Sequence, residues 1–255
     1  MNKRIFYIAP TTEALRYASH FLQENGYDVV AVPSNDVTHV ILPVLSVQPD
    51  SNLVGRGNIS AILDVLPKTV TIIGGNLPAW IQKEYHTLDL LQHEGYLARN
   101  AAITAECAVR IAVKELPRSL TGCQILILGW GRIGKCLSNL LYNAGAEVTV
   151  AARKTADRAM AEALGYTTSD YHSLSNDLHN YRIIFNTVPF MVLSDTQASS
   201  CRPDCLKIDL ASMPGIGGSG VIWARGLPGK MMPEASGLLI AKTVLENSIS
   251  KEDTL

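Results

Sequence analysis

The segment Ile125-Leu126-Ile127-Leu128-Gly129-Trp130-Gly131-Arg132-Ile133-Gly134-Lys135 constrains the fold more than any other stretch of the chain. Four consecutive aliphatic residues read as a strand buried on both faces. A Gly-x-Gly-x-x-Gly turn follows, and then a helix start. In that order each glycine has its own role. The first permits a tight turn, the second lets backbone approach a pyrophosphate, and the third lets helix pack close to strand. The phosphates would rest on unpaired N–H groups at the positive end of the helix. A second strand, Glu147-Val148-Thr149-Val150-Ala151-Ala152, stands where a βαβ unit needs one. The flanks therefore predict a bound dinucleotide; the bland alternative is a turn of the same shape that only packs.

Composition narrows the class. The 255 residues suffice for one large or two ordinary domains, and with 47% hydrophobic and 18% charged residues the chain can bury a real core. The formal net charge is -1 and the charges are mixed along the chain. No basic block or aromatic-studded basic stripe occurs, so nucleic acid is not an expected partner. No apolar run approaches membrane-spanning length. The short apolar run after Met1-Asn2-Lys3-Arg4 stops before Pro10 and reads as a strand, not a signal peptide, so the expected location is the cytoplasm.

Five cysteines, Cys107, Cys123, Cys136, Cys201 and Cys205, lack a Cys-x-x-Cys pair. Cys201 and Cys205 flank Arg-Pro-Asp without nearby histidine ligands, so no zinc or other metal site is expected. They read as small apolar residues with nothing near them to lower a thiol pKa. The six histidines have no ligand or triad spacing, and no Gly-x-Ser-x-Gly elbow occurs.

Strand and helix patterns alternate through both halves, which predicts an α/β fold of two Rossmann-like domains with parallel sheets. In the first half, strands are expected at Arg4–Ala9, Tyr27–Val32, His39–Val44 and Val70–Ile73, with a short one at Thr87–Leu91. Helices are expected at Thr12–Asn25, capped by Gly26, at 57–66 and at Leu77–Tyr85. A helix from Ala101 to Leu116, ended by Pro117, bridges the halves. The expected division is 1–117 for a substrate or partner domain, 118–232 for the dinucleotide domain and 233–255 for a C-terminal helix packing back toward the first domain and across both. Later strands are expected at Arg182–Asn186, Leu206–Leu210 and Gly220–Ala224, with a helix over 155–164 between them and the glycine turn. Ligands should bind in the cleft between the sheets, at the carboxyl ends of their strands.

The second strand of the βαβ unit ends in Ala151-Ala152-Arg153-Lys154-Thr155, without the acid that would accept hydrogen bonds from a ribose 2′-OH. Arg153 and Lys154 would instead attract a 2′-phosphate and Thr155 could donate to it, so NADP is favoured, with NAD the alternative. Expected cofactor contacts are Gly129, Trp130, Gly131, Arg132, Ile133, Gly134, Arg153, Lys154 and Thr155. Two further strand ends add Thr187, Val188 and Pro189, then Asp209 and Ala211, where short polar and backbone groups can hold a ribose or a nicotinamide amide.

At these residues the chain resembles the family of dipicolinate synthase A subunits. The likeness rests on Leu128–Gly134, Thr187-Val188-Pro189, Asp209-Leu210-Ala211-Ser212-Met213-Pro214-Gly215, Ala224-Arg225-Gly226-Leu227-Pro228-Gly229 and Pro233-Glu234-Ala235-Ser236-Gly237. It thins in the first half to Ile41-Leu42-Pro43-Val44, Gly74-Gly75-Asn76 and Asn100 with Thr104-x-Glu106. The family has more residues than this chain, and the shortfall falls in the first domain.

The resemblance implies an NAD(P)-dependent enzyme making pyridine-2,6-dicarboxylate during sporulation. It would act with the B subunit of dipicolinate synthase in the mother-cell cytoplasm, on dihydrodipicolinate or its hydroxytetrahydro precursor from the lysine branch. Such a substrate needs two carboxylates held, for which Ser46, Asn76, Ser212 and Arg225 are candidates. Ser212 and Glu106 are the candidate catalytic residues, Glu106 as a proton carrier. Two alternatives stay open. One is a 2-hydroxyacid-type dehydrogenase, against which stands the lack of a histidine at Gly226–Gly229. The other is a dinucleotide-binding protein with a regulatory or assembly role. A homo-oligomer is compatible with either.

Overall fold

The computed structural model of the chain describes residues 4–9, 12–46, 59–174 and 177–249. Two compact units result: residues up to Asn100 together with those from Pro228 onward, and Ala101–Leu227. The expected helix at 57–66 falls partly outside the described residues.

The first unit carries a parallel sheet in the order β2-β1-β3-β4-β5, from β1 (Ile5–Ile8), β2 (Asp28–Val30), β3 (His39–Ile41), β4 (Thr71–Gly74) and β5 (His86–Asp89). Helix α1 (Glu13–Glu24) shows how local chemistry sets its limits. Thr12 accepts a hydrogen bond from the Leu15 N–H (3.3 Å) at its start. At its end Gly26, at φ +80°, allows the Tyr27 N–H to reach the Leu22 carbonyl and the Gly26 N–H to reach that of Gln23, both at 3.0 Å. Short helices α2 (Ile59–Leu63) and α3 (Ala79–Glu84) follow, and Ile59 and Ile81 are buried with Tyr7, Val40, Leu42 and Ile72 in one apolar core.

Helix α4 (Glu94–Glu115) begins two turns earlier than its sequence pattern suggests. The reason is an unusual cap: the His93 Nδ1 accepts from the Tyr96 N–H (3.0 Å), a role normally read from Ser, Thr, Asp or Asn. The first unit claims this early part of α4. Arg99 pairs with Glu246 (2.8 Å) and the Asn247 side chain with His93 (3.1 Å), and both partners lie on the C-terminal helix α9 (Pro233–Ile249). The division between units therefore falls within α4, not at Pro117. Helix α9 is itself part of the first unit and packs along α1, so closely that a side chain at Gly237 would strike the Ala14 carbonyl.

The second unit holds β6 (Gln124–Leu128), α5 (Arg132–Asn143), β7 (Glu147–Ala151), α6 (Thr155–Ala163), β8 (Thr167–Ser169), β9 (Ile183–Asn186), α7 (Asp195–Ser199), β10 (Leu206–Asp209) and β11 (Val221–Trp223). Helix α8 (Leu227–Met231) leads out of it. All pairs are parallel and the order is β11-β10-β9-β6-β7-β8. This is the doubly wound dinucleotide-fold order, with its reversal between β6 and β9. Strand β8 and helix α7 were not expected from the sequence, since Thr167-Thr168-Ser169 has no apolar alternation and α7 spans five residues. Ser194 and Gln197 nevertheless form a capping box at α7, a signal written in the Ser-x-x-Gln spacing.

Candidate functional site

The glycine turn joins β6 to α5, and its three glycines are required by different things. Gly129 sits at φ +103°, which side-chain-bearing residues avoid, and its N–H donates to the Ala151 carbonyl (2.8 Å). A Cβ on Gly134 would collide with the Gly129 carbonyl oxygen, so the closeness of helix and turn excludes one. Gly131 is unlike both. Its φ of -80° and ψ of -169° suit any residue, and a Cβ there would meet no atom of the described residues within 4 Å beyond its own chain neighbours. Nothing in the fold itself needs glycine at 131. The open space lies at the amino end of α5, whose first-turn N–H groups have no carbonyl partner in their own helix. The residues present fit a pyrophosphate.

The neighbouring strand ends are stitched to this turn. The Thr187 hydroxyl and N–H both reach the Leu128 carbonyl at 2.9 Å, which fixes the tip of β9 beside Gly129. One residue back, Asn186 is fully buried; its side-chain amide donates to Asp209 Oδ1 and to the Val188 carbonyl, each at 2.9 Å. The Val188 N–H returns a bond to Asn186 Oδ1 (3.0 Å).

Asp209, 1% exposed, is the hub of this end of the sheet. Its Oδ1 accepts from Asn186 and from the Ala211 N–H (3.0 Å); its Oδ2 accepts from the N–H groups of Gly215 (2.7 Å) and Ile216 (3.2 Å). No cation is among these partners, so a buried carboxylate is compensated by four N–H donors. Its oxygens serve the chain's own loop, which places Asp209 behind the ligand-facing surface as the support of residues 210–216. Asn186 is not legible as its partner in the sequence, because a buried polar residue at a strand end looks no different from a loop residue.

Beyond this hub, the Ala211 carbonyl accepts from the Trp223 indole N–H (3.0 Å), and the Arg225 guanidinium lies 5.1 Å from the centre of that indole ring. Ser212, Arg225 and Pro189 are exposed, and Val188 is buried. Because β6, β9, β10 and β11 are neighbours, their carboxyl ends gather Thr187, Val188, Pro189, Ala211, Ser212 and Arg225 along one edge of the second unit.

At the tip of β7, Arg153, Lys154 and Thr155 are exposed and no carboxylate is among them; Asp157 lies further on, in the first turn of α6. Arg158, not singled out in the sequence, braces this tip: its guanidinium donates to the carbonyls of Ala152 (2.8 Å) and Arg153 (3.0 Å) and to the Thr155 hydroxyl (3.3 Å). Arg153 and Lys154 make no such bond to a described residue, which leaves two exposed cations where a 2′-phosphate would lie.

Several expected contacts are placed elsewhere. The Trp130 side chain is 7% exposed and packs edge-on against Tyr166 at 5.6 Å between ring centres, so only its backbone can face a phosphate. Arg132 is exposed and Ile133 half-buried. Ser46, expected at substrate, is fully buried. Its hydroxyl donates to the Pro43 carbonyl (2.6 Å) and accepts from the Gly75 N–H (2.9 Å), a strut between two loops. Asn76 is exposed with φ +53°, and Asp89 sets its position by accepting from the N–H groups of Asn76 (3.1 Å), Leu77 (2.9 Å) and Leu91 (2.9 Å). Glu106 is exposed on α4. Among the described residues, no group of three or more His, Cys, Asp or Glu could hold a metal ion, and no helix is long and apolar enough to cross a membrane.

No family model matches the sequence. The chain is 27% identical to the A subunit of dipicolinate synthase from Bacillus subtilis (strain 168) over 238 residues, 84% of this chain and 78% of that protein. It resembles the dipicolinate synthase A subunits. The fold agrees: the crystal structure of the dipicolinate synthase A chain from Bacillus subtilis matches with a TM-score of 0.83 at 23% identity, covering 99% of this chain and 98% of that one. The A subunit of the Bacillus halodurans enzyme matches with a TM-score of 0.81 at 18% identity, covering 96% and 97%. A transhydrogenase from Sinorhizobium meliloti matches at 0.71 and 15%, covering 96% and 94%, so the two-unit α/β architecture is shared well beyond dipicolinate synthases.

Proposed function

We propose that this chain is the nicotinamide dinucleotide-dependent oxidoreductase subunit that forms dipicolinate, from dihydrodipicolinate or its hydroxytetrahydro precursor, with NADP as its preferred acceptor. The observation that carries the reading is Gly131. Its side-chain position opens on empty space at the start of α5, between two glycines that the fold itself demands. The likeness to the dipicolinate synthase A subunits supports this substrate class; a B-subunit partner and a mother-cell cytoplasmic setting belong to the same proposal.

When bound, the nicotinamide supplies a hydride acceptor. The chain's part is to position and to exclude. Backbone N–H groups of residues 131–134 hold the pyrophosphate, and Arg153 and Lys154 hold a 2′-phosphate, with Thr155 beside them. Asp209 and Asn186 keep the loop of Ala211 and Ser212 rigid, so that Ser212 and Arg225 meet the substrate carboxylates in a fixed geometry. The product ring is aromatic, so its aromatisation is downhill and the main demand on the protein is orientation. Loss of the ring proton, and of water from a hydroxylated precursor, needs a proton carrier; Glu106 is the candidate, and the test of it is kinetic.

The decisive experiment incubates the chain with substrate, with and without a dipicolinate synthase B subunit, and with NAD and NADP separately, while following dipicolinate absorbance. Product formation that requires nicotinamide and this chain is expected. Dinucleotide binding without product under every condition would instead favour a regulatory or assembly role.

A further inference from the structure

Trp223 is a large apolar side chain left 49% exposed, so burial alone does not account for its place at the end of β11. Its ring is nevertheless fixed. The backbone is held in the sheet by pairing with Asp209 on β10, and the Ala224 N–H donates to the Asp209 carbonyl (2.8 Å). The indole N–H donates to the Ala211 carbonyl (3.0 Å), and the Ala211 N–H is itself held by Asp209 Oδ1 (3.0 Å). A buried carboxylate, a loop and an indole thus form one line of supports running outward from the sheet.

Arg225 lies at the end of that line. Its guanidinium carbon is 5.1 Å from the centre of the indole ring, within the range of a cation–π contact. Gly226, at φ +62°, then turns the chain away into α8, so Arg225 stands at the corner where β11 ends. Among the described residues no carboxylate is ion-paired with it. An exposed arginine normally loses much side-chain freedom when it grips a carboxylate. Resting on a fixed ring face, Arg225 has given up part of that freedom before a ligand arrives, and its planar fork of N–H groups stays available.

We propose that Trp223 is a positioning residue: it holds Arg225 ready for one of the two substrate carboxylates, and the pair sets a preference for a dicarboxylate over a monocarboxylate. The inference rests on the dipicolinate-forming reading of this edge and adds to it the residue through which specificity is fixed. Trp223 acts through Arg225 and needs no contact with the reacting atoms. A monocarboxylate of the same ring leaves the Arg225 fork without its anion, so only a dicarboxylate gains from the arrangement.

The test is calorimetric titration of the whole protein with dipicolinate and with pyridine-2-carboxylate, in separate runs with NADP and with NAD present. The unaltered chain should favour dipicolinate by ~10-fold or more, and Arg225→Ala should remove most of that preference. Trp223→Leu should weaken dipicolinate about 5-fold and pyridine-2-carboxylate less than ~2-fold. Its melting temperature should stay within ~2 °C of the unaltered chain. Trp223→Phe keeps a ring face without the indole N–H and should fall between the two. In the Arg225→Ala background, Trp223→Leu should cost nothing further, because the residue it positions is gone. Losses that multiply in the double variant, or equal weakening of both acids, would overturn the proposal. If Trp223→Leu does not fold, Trp223→Phe carries the same comparison. An unaltered chain that binds neither acid sinks the dipicolinate-forming reading and this inference together; tight dipicolinate binding that no Trp223 variant disturbs sinks this inference alone.

Discussion

The strand tips of the two sheets use the same device to different ends. In the first unit, Asp89 at the end of β5 accepts three N–H bonds, and Ser46 is locked between Pro43 and Gly75. These polar groups are consumed in holding loops to one another. In the second unit, Asp209 at the end of β10 accepts four N–H bonds, yet beside this hub the turn at Gly131 is left open. The lesson is that a carboxylate at a strand tip is not by itself a ligand-binding group. A site is recognised where rigid, satisfied supports stand next to a backbone that has been kept clear.

The comparison breaks most easily at the two carboxylates. Asp209→Ala leaves four donors unpaired in a fully buried place and should cost about 3–5 kcal/mol, whereas half-buried Asp89→Ala should cost about 1–2 kcal/mol because water can reach its donors. Urea unfolding of the two variants checks this; equal losses would mean that the hubs do not differ in kind. The glycines separate folding from binding. Gly131→Val should leave the melting temperature almost unchanged while weakening dinucleotide affinity at least ~100-fold, a loss of roughly 2.7 kcal/mol. Gly134→Ala should lower stability, because its Cβ meets the Gly129 carbonyl. Calorimetric titration and thermal melts, run on both, would reveal a misplaced ligand if Gly131→Val still bound.

A smaller effect concerns the tip of β7. Replacing Arg153 and Lys154 together by Ala should reduce NADP affinity about 10-fold and NAD affinity hardly at all, since one of the two cofactors lacks the phosphate these cations would face. Parallel losses for both cofactors would point to NAD. An effect of similar size belongs to the first unit. The His39 ring lies tilted against Phe6, 4.9 Å between ring centres, and burial, with the nearby Arg4, lowers its pKa from 6.5 to about 4. As pH falls, the unfolded chain takes up this proton first. The His39 contribution is therefore complete above pH 6.5 and lost between pH 6.5 and pH 4. Allowing for solvent screening of a half-buried ring, the loss is about 1–2 kcal/mol. Denaturation curves at several pH values should show it, with a shallower decline for His39→Phe.

Much of the second unit is legible in sequence because its signals are local. A run of four aliphatic residues, a glycine spacing and a second aliphatic strand specify strand, turn and helix within about 30 residues. The exposed cations at Arg153 and Lys154 can be read in the same way. Helix α4 is misjudged at its start because a histidine cap has no strong sequence signature. Ser46 is misjudged for a different reason. A serine after Ile-Leu-Pro-Val-Leu reads as a loop residue, and only the meeting of two distant loops buries it completely.

The amino-acid order alone determined the alternation of strand and helix, the glycine turn and the missing acid at the end of β7, because each is encoded in neighbours along the chain. Tertiary structure decided which polar residues became supports. Asn186 meets Asp209 and His93 meets Asn247 only once parallel strands and returning helices bring distant segments together, where burial makes every unpaired donor costly.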